Sequence, residues 1–353
     1  MASNPIFVTG GAGFIGSNFI RRHLAQPSGG PVVNFDQLTY AGNLANLSPV
    51  ADDPRYRFIK GDICDPEAVA FAMAGSESVV HFAAESHVDR SIYDPAPAAQ
   101  TNIAGTLVLL QAARALGIRR FIHISTDEVY GEMPPGTFAG ESASLHPSNP
   151  YSVSKAGADL LVRSFMRTFD FPAIIVRPTN NYGPFQFPEK FLPLMISSAL
   201  DDQPLPIYGD GKQERSWLHV DDHCGALVAI LDRGQIGHTY NVGAANGETN
   251  ISMAHRVLRL TEKPASRIIH VQDRPGHDRR YALNCSKIER ELGWRPAVDV
   301  EEGVRETIDW YRENAGWLRD VRSGEYSSYF DKYYNNRDKT LEALIHPLRK
   351  PDG

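Results

Sequence analysis

Short apolar runs recur along the first half of the chain, at residues 6–8, 32–35, 57–63, 78–84, 121–124 and 173–176. Each is rich in Val, Ile or Phe and stops at a polar or glycine-rich turn, the pattern of buried strands. Behind the first run, Phe14, Ile15, Ile20 and Leu24 recur at helical spacing, and Arg21, Arg22 and His23 gather near the end. Strands that alternate with such helices predict an α/β fold, a doubly wound parallel sheet. The segment 101–114 is apolar nearly all round. It predicts a helix beginning near Thr101 that buries one face on the sheet and another on a second subunit. The alternation breaks near Pro184, where Pro, Gly and charged residues become frequent. The expected division is a nucleotide-binding domain over 1–183, with segments near 216–243 returning to it, and a smaller, looser domain over 184–353. An amphipathic helix is expected around 305–311, and the polar, aromatic-rich stretch 326–353 receives no assignment.

Composition narrows the class. With 353 residues, 42% of them hydrophobic, the chain can bury a large core. Its formal charge of −6 is spread without a basic block, which removes support for a nucleic-acid or anionic-membrane role. Cys64, Cys224 and Cys285 are an odd number and far apart, so a reducing cytoplasm is the expected setting. The first residues lack the basic and apolar regions of a signal peptide, and no apolar run reaches membrane-spanning length.

Candidate chemistry lies where the strands end. Gly10, Gly13 and Gly16 follow the first run and open the helix at Phe14 and Ile15. In that setting the glycines form a tight turn, admit a pyrophosphate to the backbone and pack the helix on the strand. This marks the sheet as Rossmann-type. Asp36 stands twenty residues after Gly16, where a carboxylate bonds a ribose 2′-hydroxyl and repels a 2′-phosphate, favouring NAD over NADP. Asp62 and Ile63 end the third run, with Asp62 facing the adenine amine, and Phe82, Ala83 and Ala84 leave room for a cofactor to pass. The fifth run ends in Thr126, Asp127 and Glu128, a hydroxyl and two carboxylates. By itself this would be a polar turn; a dinucleotide site before it and a Tyr–Lys pair after it make it a catalytic candidate. Tyr151 and Lys155 are four apart, on one helical face, where a cation beside a phenol lowers its pKa toward neutrality. A second such spacing, Tyr208 with Lys212, falls in a glycine-rich turn and is discounted as a base. Arg215 and Arg274 are candidates for a diphosphate, against the commoner role of surface ion pairing. His219 and His223 have zinc-like spacing without a third ligand nearby, and read better as a strand end and helix cap, so no metal is expected.

The glycine turn, Asp36, Thr126 and the Tyr151–Lys155 pair resemble the extended short-chain dehydrogenase/reductase family. The stretches Ser125-Thr126-Asp127-Glu128-Val129-Tyr130-Gly131, Glu85-Ser86-His87-Val88-Asp89-Arg90-Ser91 and Asn180-Asn181-Tyr182-Gly183-Pro184 are similar to its dTDP-glucose 4,6-dehydratase branch. The resemblance runs from Ile6 to at least Trp310. It implies NAD as cofactor, dTDP-glucose as substrate and a homodimer. It implies Thr126, Asp127, Glu128, Tyr151 and Lys155 as catalytic residues, and adds Thr101 and Asn181 to the cofactor site. Ser86, Thr126, Asn180, Glu189, Lys190, Pro206, Tyr208, Arg215, Asn250, Arg274 and His277 are the implied substrate contacts. The rival readings are a sugar-nucleotide 4-epimerase, a GDP-mannose 4,6-dehydratase, and a catalytically dead NAD sensor on the same scaffold.

Overall fold

The computed structural model describes residues 4–244 and 247–322. Its strands are β1 (Ile6–Thr9), β2 (Val32–Asp36), β3 (Tyr56–Lys60), β4 (Ser78–His81), β5 (Arg120–Ile124), β6 (Ala173–Pro178), β7 (Asn180–Tyr182), β8 (Leu205–Tyr208), β9 (Glu214–Arg215), β10 (Trp217–His219), β11 (Thr239–Val242), β12 (Glu248–Thr249) and β13 (Ile268–Val271). The α-helices are α1 (Phe14–Ala25), α2 (Pro66–Met73), α3 (Val88–Tyr93), α4 (Ala96–Ala99), α5 (Thr106–Ala115), α6 (Pro150–Phe169), α7 (Phe191–Leu200), α8 (Val220–Arg233), α9 (Asn250–Leu260), α10 (Ser286–Leu292), α11 (Val300–Glu313) and α12 (Ala315–Val321).

Seven strands form one parallel sheet in the order β11-β6-β5-β4-β1-β2-β3. Strands β1, β2 and β6 are buried along their whole length, as apolar strands covered on both faces must be. One face is packed by α1, α8 and α10 and the other by α2, α5 and α6. The strand order reverses between β1 and β4, and a crevice opens there beyond the strands' carboxyl ends. After Gly183 the chain returns to this layer: β10 pairs with β7, and β11 extends the sheet beyond β6. Around α7, α9, α11 and β8 lies a separate core that includes Leu192, Met195, Trp217, Met253, Val257 and Ile308. The expected looseness of this half is therefore corrected, because its apolar residues, though interrupted by Pro and Gly, converge on a packed interior.

Some boundaries differ from expectation. β3 stops at Lys60 and β4 at His81, so Asp62, Ile63 and Phe82–Ala84 lie beyond the sheet rather than in it. The helix expected near Thr101 begins at Ala96 and passes through a π-helical turn, Gln100–Gly105, before α5. Asn102 explains the wide turn. Its side chain brackets the Glu85 backbone, accepting from N and donating to O at 2.9 Å each, and also reaches Ser154. Leu109 and Leu110 are fully buried inside the chain's own core, so charging either attacks the fold and not an outer face. No helix among the described residues is long and apolar enough to cross a membrane. The 326–353 stretch lies outside the described residues.

Candidate active site

A cleft of about 330 Å³ runs along the carboxyl ends of β1, β2, β4 and β5. Gly10 turns at φ +68°, and a Cβ there would lie 2.6 Å from the Ala83 nitrogen. A Cβ on Gly16 would lie 2.4 Å from the Gly10 carbonyl. Only glycine allows α1 to start this close to β1 and β4. The first turn of α1 has no side-chain cap, so its N–H groups and dipole face the cleft. Asp36 is held at the end of β2 by the Ala12 N–H at 2.9 Å and the Leu38 N–H at 2.8 Å. Each carboxylate oxygen keeps a further lone pair for a ribose hydroxyl. These features fit a dinucleotide: an uncapped helix start for its phosphates and an anchored acid for its sugar. Gly13, Phe14, Ile15, Asp62, Ile63, Phe82, Ala83, Ala84, Thr101 and Asn181 line the same cleft.

Strand β5, beside the central β4, delivers the candidate reactive groups. After β5 the backbone enters a 3-10 turn, Asp127–Tyr130, capped by Thr126, whose Oγ1 accepts from the Glu128 N–H at 3.3 Å. The turn ends at Gly131, φ +73°, where a Cβ would meet the His146 carbonyl at 2.1 Å. Asp127 is almost fully buried and takes a hydrogen bond from Thr126 Oγ1 at 3.2 Å. Burial, then the neighbouring Glu128 charge, push its carboxyl up to about 7, against the pull of Arg215. Helix α6 starts with Asn149 as cap, in a capping box with Ser152, and Asn149 Nδ2 also reaches Glu128 Oε2 at 3.5 Å. Tyr151 sits on the first turn, its N–H fixed by Ser91 Oγ at 3.0 Å.

Lys155 lies one turn further along α6. Its Nζ donates to the Ile124 carbonyl at 2.6 Å, and burial lowers it to about 8, with Asp159 opposing. Burial and the Glu128 charge raise the Tyr151 phenol, opposed by a hydrogen bond with Thr126. Burial is the largest influence on the phenol and the Lys155 ammonium is turned to the Ile124 carbonyl; the expectation joins Lys155 with the nicotinamide charge as the two cations that favour the phenolate.

The substrate candidates divide into two groups. Ser86, Asn180, Glu189 and Lys190 line the cleft. Glu189 pairs with Arg90 at 3.0 Å, and Lys190 Nζ donates to the Ser86 carbonyl. Pro206, Tyr208, Arg215, Asn250, Arg274 and His277 do not line it. Tyr208 donates to Asp89 Oδ2 at 2.6 Å and Arg274 pairs with Asp89 Oδ1 at 3.0 Å. His277 bonds Asp273 at 2.6 Å. Arg215 is buried over the Tyr281 ring and donates to the carbonyls of Glu214, Asp278 and Arg279, so surface ion pairing is not its role. Both arginines still feel Glu128, and Arg215 also feels Asp127. Pro206 lies in β8 opposite Ile269, and the Asn250 N–H donates to the Gln213 carbonyl at the start of α9. In the discounted second pair, Tyr208 is committed to Asp89 and Lys212 is exposed. His219 caps α8 by accepting from the Asp221 N–H, while His223 bonds Asn181, so the two imidazoles serve separate ends. Among the described residues no three His, Cys, Asp or Glu side chains are arranged to hold a metal.

A family model described as GDP-mannose 4,6 dehydratase matches residues 7–307. A dTDP-glucose 4,6-dehydratase of Shigella flexneri is 47% identical, covering 94% of this chain and 99% of its own length. The chain belongs to the dTDP-glucose 4,6-dehydratase family. A second such dehydratase, from Neisseria meningitidis serogroup B, is 49% identical over 91% of this chain and 97% of its own. A dehydratase structure from Streptomyces venezuelae with NAD and dTDP bound superposes with a TM-score of 0.88 at 47% identity, covering 90% of this chain and 99% of that one. The UDP-glucose 4-epimerase of Thermotoga maritima, solved with UDP-glucose, reaches 0.82 at 30% identity, covering 88% and 99%. Dehydratases and epimerases thus share the scaffold, and what separates them is local to the site.

Sequence reasoning missed Asp89, Asn149 and Asp159. Asp89 stood inside a quoted polar stretch, and its two partners lie far along the chain. Asn149 precedes a Pro and a helix, a readable cap signal, but its bond to Glu128 left no local trace. Asp159 falls on the Tyr151–Lys155 face at the next helical step. It is fully buried and pairs with Arg177 at 2.8 Å.

Proposed function

We propose that this chain dehydrates dTDP-glucose to dTDP-4-keto-6-deoxyglucose, with Thr126, Asp127, Glu128, Tyr151 and Lys155 as its catalytic residues. The observation that carries this reading is the Asp127–Glu128 pair, in which burial and the neighbouring charge raise the Asp127 carboxyl to about 7 while Glu128 lines the same cleft. Adjacent carboxylates separated in this way supply one acid and one base. NAD, when bound along the glycine turn and Asp36, supplies the hydride acceptor for C4, the donor for C6 and a positive ring charge near the phenol.

Tyr151 removes the 4-hydroxyl proton as C4 is oxidised, and Thr126 hydrogen-bonds the same oxygen. Lys155 holds a positive charge behind them, anchored on the Ile124 carbonyl. The new ketone acidifies the C5 proton. Glu128 takes that proton, and Asp127 gives its own to the 6-hydroxyl, which departs as water. Arg215 and Arg274 influence the carboxylates, and the pairing of Arg274 with Asp89 supports a role in which it exchanges that carboxylate for a substrate phosphate oxygen. A 4-epimerase has no elimination to perform and no need of a paired acid and base.

Exposed Val153 and Leu160, seven apart on α6 and 50% and 55% exposed, support a homodimer formed across this helix. The three scattered cysteines support a cytoplasmic setting. The deciding experiment is incubation with dTDP-glucose deuterated at C4. A 4-keto product carrying label on a C6 methyl and solvent hydrogen at C5 is expected. Label returned to C4 with no methyl group would identify an epimerase.

A further inference from the structure

We infer that Trp317, on α12, holds the glycine turn in its cofactor-binding shape through Asn46, and so governs how long NAD stays bound. The inference rests on the cofactor reading above. Trp317 Nε1 donates to Asn46 Oδ1 at 2.8 Å, and Asn46 Nδ2 donates to the Ala12 carbonyl at 3.0 Å. The Ala12 N–H in turn donates to Asp36 Oδ2 at 2.9 Å. Hydrogen bonds therefore meet at Ala12 from both sides: its carbonyl is tied to α12 through a side chain only 1% exposed, and its N–H to the acid expected to meet the ribose. Ala12 lies between Gly10 and Gly13, both lining the cleft, so the carbonyl held by Asn46, together with the Asn43 N–H at 3.0 Å, belongs to the turn itself.

A second link reaches the same helix by another route. The Phe185 ring lies tilted against Trp310, centres 4.7 Å apart, and edge-on to Trp317 at 6.2 Å; Arg21 of α1 lies over Phe185 at 4.5 Å, and Asn18 donates to the Pro184 carbonyl at 3.0 Å. This aromatic cluster grips the body of α1, while the Trp317–Asn46 bond grips its entrance. Packing alone would make Trp310 and Trp317 equivalent. The indole N–H of Trp317 makes them different, because a buried amide oxygen that loses its donor has no water to replace it.

The test uses the holoenzyme as purified and measures NAD release by displacement with excess fluorescent etheno-NAD. Trp317→Phe keeps an aromatic ring and removes the donor. It is expected to speed release by about 5- to 20-fold, with kcat unchanged at saturating NAD. Trp310→Phe, in the same cluster, is expected to stay within about 2-fold of wild type. Asn46→Leu removes the link from its other end, should act at least as strongly as Trp317→Phe, and serves if that variant does not fold. Equal effects of Trp310→Phe and Trp317→Phe, or no effect of Trp317→Phe and Asn46→Leu, would overturn the inference. A wild-type protein that binds no NAD would overturn the cofactor reading itself.

Discussion

The two sides of the candidate site are held in different ways. On the Rossmann side the groups are fixed by main chain: Gly10 by its positive φ, Asp36 by two N–H groups, Thr126 by a capped turn, Lys155 by the Ile124 carbonyl. On the substrate side they are fixed by side chains that cross from one half to the other: Tyr208 and Arg274 both on Asp89, Arg90 on Glu189. Backbone anchoring holds groups in place through the reaction, which is what charge stabilisation and proton transfer require. A guanidinium–carboxylate pair can instead be exchanged for a guanidinium–phosphate pair of similar geometry. The difference fits the proposal above, in which the first wall carries the chemistry and the second receives the substrate phosphates.

Breaking the first wall should abolish turnover. Tyr151→Phe is expected to lower kcat by about 10³-fold or more with little change in substrate affinity, measured by product formation and by isotope-dilution binding. Asp127→Asn should cost about 10²- to 10³-fold in water loss while still exchanging solvent deuterium into C5, because Glu128 remains. Asp127 also sets a pH dependence. Its folded value of about 7 lies above the unfolded value of about 3.9, so the proton is bound more tightly in the folded chain. Its contribution to stability is complete below the unfolded value and is lost as pH rises through about 7. The rate of elimination should decline over the same upper range. Thermal unfolding followed against pH should show this slope in wild type and lose it in Asp127→Asn.

Breaking the second wall should weaken binding more than chemistry. Arg274→Gln is expected to raise KM for dTDP-glucose by about 10- to 100-fold, with kcat changed only a few-fold. Asp36→Ala belongs to the first wall but is expected to act on the cofactor alone; it should weaken NAD by about 5- to 100-fold and relax the preference over NADP, read by titration with both. Asp89→Asn keeps the size and loses the charge, and should change KM by about 3- to 10-fold through looser positioning of Arg274. A larger effect of Asp89→Asn on kcat than on KM would erase the distinction between the walls.

The first wall was legible in the sequence because its parts are contiguous. A strand, a glycine turn and a helix start lie within eleven residues, from Ile6 to Gly16, and Thr126, Asp127 and Glu128 end a single apolar run. The second wall was legible only as residue types. Asp89 meets Tyr208 across 119 residues and Arg274 across 185, and no spacing rule reaches that far. Lys155 marks another limit. Its helical spacing from Tyr151 was readable, but the direction of its ammonium is set by a carbonyl on β5, which belongs to a different element. The π-turn before α5 was likewise hidden, since nothing in the local pattern signals that Asn102 must reach Glu85.

The place of β11 has a consequence for how the molecule comes into being. This strand closes the sheet beside β6, yet it follows β6 by more than sixty residues, during which the chain builds part of the other half. As the polypeptide leaves the ribosome, β6 must wait with an open row of amide and carbonyl groups, a template for pairing with another nascent chain. Synthesis halted after Gly183 should leave that row uncovered, and such fragments are expected to self-associate by light scattering until a segment carrying 216–243 is supplied in trans.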